Sequence, residues 1–145
     1  MRRAILVALG IGAVVTSAAA FSIGAGEDSA QLTREQFAAE LRAIESQRAA
    51  NEVRCSRATG FERDFCRIEA QAEESVRIAD AEAAYRRTQH SARAAQRARI
   101  EARYQVERAK CGVLGGLKRD KCMVKVHASR GRSMLEAATP YEVRF

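Results

Sequence analysis

The residues best suited to chemistry are four cysteines, Cys55, Cys66, Cys111 and Cys122, set as two pairs with ten residues inside each. Thiols at such positions can hold a metal, exchange electrons or close disulfides, and spacing separates these outcomes. Thiolate zinc sites draw ligands from pairs about two to four residues apart, closer than here. Redox enzymes usually obtain a low-pKa attacking thiol from Cys-x-x-Cys, which the sequence lacks. Disulfides remain, provided the compartment is oxidising.

The amino terminus addresses the compartment. Met1-Arg2-Arg3 is positively charged, Ala4 to Val15 is an uncharged apolar run, and Thr16 to Ala20 are small residues. This pattern is expected of a signal peptide, residues 1–20, cleaved after Ala20, rather than of a membrane span. Cleavage removes Arg2 and Arg3 and lowers the formal net charge from +7 to +5. An exported chain with an even number of cysteines reads as a disulfide framework. The expected location is therefore periplasmic or secreted.

Other candidate chemistry is sparse. His90 and His127 stand far apart, and no carboxylate–histidine–nucleophile grouping can be assembled around them. HExxH, GxSxG and a phosphate-binding loop are absent. No catalytic residue, metal, cofactor or small-molecule substrate is expected, and the chain does not read as an enzyme. The residues with most functional interest are arginines. Arg86, Arg87, Arg93, Arg97, Arg99 and Arg103 form a basic stretch whose helical face could bind an anionic lipid, lipopolysaccharide or nucleic acid. The competing reading is a solvated face partly neutralised by acidic residues within the chain.

The elements that position these residues follow from an internal repeat. Residues 55–66 and 111–122 both obey C-x4-G-x2-R-D-x-C, and the same offset of 56 aligns Ile44-Glu45 with Ile100-Glu101. A duplication of this kind is one supersecondary unit used twice. Each window suits the turn of a helical hairpin. Gly60 and Gly116 stand where a helix end takes a left-handed residue, with Phe61 or Leu117 folding back on the last turn. Asp64 and Asp120 recur as a pair, and helix capping explains them more simply than a shared acid site. Four cysteines allow three pairings; duplication favours the local one, Cys55–Cys66 with Cys111–Cys122.

The expected fold is all-α: two disulfide-stapled hairpins, residues 33–87 and 91–138, after a flexible leader at 21–32 and before a disordered tail at 139–145. Thr33-Arg34-Glu35-Gln36 fits a capping box, with Leu32 stapling onto Phe37, and Phe37, Leu41, Ile44 and Val53 lie near one face. Residues 61–110 contain no Gly or Pro, so one long helix or two would fit. A break at Arg87–Ser91 is favoured, with Ser91 capping the second helix. The segment before the break is acidic and the one after it basic, which suits two helices lying side by side. A fourth helix at 118–137 is expected to be interrupted at Gly131. With no Trp and an apolar share that leans on Ala, the core should be thin and dependent on its crosslinks.

The motif resembles that of small exported, Ala-rich, basic helical proteins of Gram-negative envelopes, often labelled TolA-like or cell-envelope-biogenesis proteins. The resemblance covers about residues 33–138. It rests on Cys55, Gly60, Arg63, Asp64 and Cys66, repeated as Cys111, Gly116, Arg119, Asp120 and Cys122, and on Ala-Glu-Ala-Ala-Tyr at 81–85. That group usually has Asn-Ala after the motif glycine and is Lys-rich, where this chain has Phe61-Glu62 and Leu117-Lys118 and favours Arg. The resemblance implies an envelope location and a helical architecture. A structural or protein-interaction role in the envelope, with a protein partner there, is the leading expectation; anionic-ligand binding through the Arg-rich third helix is the alternative.

Overall fold

A computed structural model describes residues 31–138. The signal segment, all of the leader but Gln31 and Leu32, and the tail at 139–145 lie outside the described residues. Within them the chain is four helices with no strand: α1 (Arg34–Ser56), α2 (Gly60–Arg86), α3 (Gln89–Cys111) and α4 (Gly116–Ala138).

Local chemistry sets the starts and stops. Thr33 caps α1, accepting a bond from the Gln36 backbone N–H while the Gln36 side chain accepts from the Thr33 N–H, a reciprocal capping box. The long middle segment is two helices. Arg87 takes a left-handed conformation (φ 49°), its N–H closing on the Ala83 carbonyl. The cap of α3 is Thr88, not Ser91, so α3 begins at Gln89. Two hydroxyls three residues apart can each cap, and here Thr88 does so while Ser91 supplies the returning side chain of the box. Gly60 (φ 55°) and Gly116 (φ 49°) are the left-handed residues that turn the chain into α2 and α4.

Three local expectations need correction. Helix α4 runs unbroken through Gly131; an interior glycine weakens a helix by only about 1 kcal/mol, and Arg130 beside it is tied to Glu101 of α3 at 2.6 Å. Asp64 and Asp120 are each the fifth residue of their helices rather than the first turn. Asp64 pairs instead with Arg63 at 3.6 Å, and no side chain caps the start of α2. Of the apolar face expected on α1, only Ile44 is buried, while Leu41 and Val53 remain exposed.

The helices form an open layer. Among the described residues α1 packs on α2, α2 on α3 and α3 on α4, with no contact between helices further apart in sequence. A four-helix bundle would instead wrap a common centre. Burial is accordingly scarce. The buried apolar residues are Ile44, Cys55, Ala81, Ala95, Ile100 and Cys111. Two pairs of them, Ile44 with Ile100 and Cys55 with Cys111, are repeat equivalents. Each hairpin therefore buries one isoleucine along its length and one half-cystine at its bend, which is little area for a unit of this size. The segment before α1 closes the other end of the first hairpin. Leu32 N–H and the Gln31 amide donate to the carbonyls of Ala84 and Tyr85, and the Phe37 ring stacks on Tyr85 at 4.6 Å.

Candidate functional site

The disulfides join Cys55 to Cys66 and Cys111 to Cys122, with Cα atoms 5.5 and 5.7 Å apart. Among the described residues no cysteine is free. Each bond ties the last turn of one helix to the second turn of the next, across the glycine bend. Cys55 and Cys111 are the most fully buried side chains described, so the crosslinks also fill the bend end of their hairpins.

Because α2 and α3 run antiparallel, both bends lie at one end of the layer. The Phe61 ring stands 3.9 Å from where a Cβ on Gly112 would be, which joins the first bend to the second. Phe61 stacks on Phe65 at 5.6 Å rather than folding back on α1. Leu117 does not fold back either. It is 75% exposed, and Val113 beside it is 61% exposed. With Val53, Phe61 and Leu114 they give this end five large apolar side chains facing solvent. Sequence reasoning missed the cluster because it assigned Phe61 and Leu117 to packing positions.

The arginine stretch is divided by the fold. Arg99 pairs with Asp80 of α2 at 2.7 Å, and Arg103 donates to the Ser133 hydroxyl at 3.2 Å. Arg86, Arg87, Arg93 and Arg97 are exposed and their side chains make no ion pair or hydrogen bond among the described residues. These four surround the α2–α3 junction, opposite the disulfide bends. The acidic and basic middle helices do lie together, yet among the described residues Asp80–Arg99 is the one ion pair that crosses between them. The cations of α2 turn toward α1 instead: Arg77 reaches Glu40 at 2.6 Å, and Arg67 reaches Glu52. The carboxylate beside it raises the pKa of Arg67, chiefly through the hydrogen bond. Glu107 does the same for Lys110.

The histidines part company. His90 is an exposed residue in the first turn of α3. His127 meets Tyr104 across α3 and α4, ring centroids 5.4 Å apart, and the Arg130 guanidinium lies 5.1 Å from the Tyr104 ring centre. Tyr104 and Arg130 border a small open cavity of about 210 Å³ that Ile100, Val126 and Ser133 also line. The Tyr104 hydroxyl and the His127 Nδ1 stand 3.5 Å apart, at the outer limit of a hydrogen bond. Two shallow grooves run along the α2–α3 seam and share Ala72 and Ala102; the larger, about 400 Å³, adds Val76 and Val106. Small side chains at the seam let the helices approach but leave it poorly filled.

No helix among the described residues is long and apolar enough to cross a membrane, and no three His, Cys, Asp or Glu side chains there are grouped to hold a metal ion. No family model, curated protein or solved structure matches the chain.

Proposed function

We propose that this chain is a non-catalytic interaction module of an oxidising, extracytoplasmic compartment, exported by residues 1–20 and acting in the cell envelope. The observation that carries the reading is the open layer held by two local disulfides. Helices that contact only their sequence neighbours leave both sides of the α2–α3 seam accessible. The seam groove offers Ala72, Val76, Ala102 and Val106 between charged rims, a surface into which a partner's apolar side chains fit. The disulfides suit the compartment, and the amino-terminal pattern suits the route to it. The resemblance of the repeated cysteine motif to TolA-like envelope proteins points the same way.

A photoreactive amino acid at Ala102 tests this in intact cells. The module reading expects crosslinking to one defined envelope protein, retained in high salt and lost on Val76→Glu. Crosslinking no stronger than from the same group at exposed Arg132 would remove the reading.

A second reading rests on Arg86, Arg87, Arg93 and Arg97, whose exposed guanidinium groups make no ion pair or hydrogen bond among the described residues. They suit a soluble polyanion held by charge alone, with affinity that falls steeply with salt. Heparin elution at low salt would count against it.

A further inference from the structure

The end of the molecule that carries both disulfide bends combines exposed apolar side chains with unpaired cations, and neither the seam groove nor the arginine cluster uses it. Val53, Phe61, Val113, Leu114 and Leu117 face solvent there. Around them stand Arg57, Lys118, Arg119 and Lys121, all exposed and making no ion pair among the described residues. Acidic residues are present, Glu62, Asp64 and Asp120, but Asp64 already faces Arg63. The four lysines of the whole chain fall between residues 110 and 125: Lys110 in the last turn of α3, paired with Glu107, and Lys118, Lys121 and Lys125 in the helix that leaves the second bend. In a protein whose other 21 basic residues are arginine, Lys118 and Lys121 set the bend end apart in chemistry.

We propose that this end docks on an anionic phospholipid surface, with Val113, Leu114 and Leu117 entering the headgroup–acyl boundary and Lys118, Lys121 and Arg119 bound to phosphates. Protein interfaces are depleted in lysine at their centres. A lipid interface accepts it, because the long stem stays among the apolar groups while the ammonium reaches the headgroups. The apolar residues stand on two convex bends, not in a groove, a shape that enters a fluid interface without a complementary partner. The disulfides hold both bends rigid, so little ordering is lost on docking. The long axes of the helices would then rise from the surface, presenting the seam groove away from it.

The chain contains no tryptophan, so one placed at Leu117 reports on this end alone. Oxidised Leu117→Trp protein lacking residues 1–20 is mixed with vesicles of phosphatidylcholine containing phosphatidylglycerol, and with phosphatidylcholine alone. The proposal expects a blue shift of the emission with the anionic vesicles only. Each basic side chain at an anionic surface contributes about fivefold in partition, so adding Lys118→Glu and Lys121→Glu should weaken the response by about twenty-five-fold or more. Arg93→Ala with Arg97→Ala should leave it unchanged. Emission that stays at its aqueous position with anionic vesicles overturns the proposal. So does an equal shift with neutral vesicles, or one reproduced by soluble heparin, which would assign the face to a polyanion. A tryptophan at Leu41, away from this end, should not shift in any arm.

Discussion

Phe61 and Gly112 lie against each other, the Phe61 Cε2 atom 3.9 Å from where a glycine Cβ would point, and through this contact the two copies of the cysteine motif meet. The repeat is thus more than two hairpins in series. Its copies face the same way, and the bends share one end of the layer. Structural, electrostatic and docking consequences all follow from that common orientation.

The bends themselves depend on left-handed backbone. Gly60 and Gly116 have open space where a side chain would go, so a substitution there is opposed by conformation alone. Gly60→Ala and Gly116→Ala should each cost about 1 kcal/mol in urea unfolding, and Asn at either place should cost less, since Asn tolerates this region. Gly112 differs: its φ is ordinary at −63°, and an added Cβ would meet the Ala109 carbonyl oxygen at 3.0 Å. Gly112→Ala should therefore also destabilise, by about 1 kcal/mol, but through this contact rather than through backbone conformation, so Asn there should bring no relief.

Ile44 and Ile100 are the bulkiest buried apolar side chains of their hairpins, 4% and 6% exposed. Ile44→Ala and Ile100→Ala should each destabilise by about 2 kcal/mol, the low end of the range for buried isoleucine, because an open layer can collapse around the gap. Leu135→Ala, on a side chain in solvent, should change little. Equal losses at all three positions would mean that α4 buries Leu135 against something in solution.

The ion pair between the middle helices should matter little. Asp80 and Arg99 are both partly exposed, where such pairs contribute about 0.2–1 kcal/mol and salt screens them. A double-mutant cycle with Asp80→Ala and Arg99→Ala should give a coupling in that range at low salt and close to zero in high salt.

Acid should be tolerated for the same reason. Arg48 holds the Glu45 carboxyl below its ordinary value, first by its hydrogen bond and then by its charge. A carboxyl lowered on folding stabilises above its unfolded pKa, and that contribution fades as pH falls through the folded value. Any loss from Glu45 therefore begins only within the usual carboxylate range and continues below it, and the pair is largely exposed to solvent. Thermal melts should change little from neutral pH down to the top of that range. A steep fall above it would reveal a titrating group more deeply placed than Glu45.

Much of the fold was legible because it rests on local rules. The box at Thr33 and Gln36, the repeated cysteines and the bend glycines each act over a few residues, and each leaves its mark in sequence order. The break near residue 87 was visible, but its cap was not, since Thr88 and Ser91 offer the same hydroxyl chemistry. What the sequence hid is the openness of the layer. Val53, Val113 and Leu117 fall at helical or turn spacings that normally mean packing, and spacing does not say whether a neighbouring helix exists to receive them. The charge pattern misled in a related way. It placed α2 beside α3, yet Arg77 and Arg67 found their carboxylates on α1, a choice made by the direction of side chains across an interface.

The central claim is that crosslinks, rather than the buried core, hold the hairpins closed. Each disulfide closes a loop of about a dozen residues, worth about 3 kcal/mol on the chain-entropy account. Circular dichroism melts of oxidised and fully reduced protein, each with its thiols counted by mass, test the claim directly. The account predicts no free thiol in the native chain and a melting temperature about 20 °C lower after reduction. Coincident melts of the two forms would contradict it.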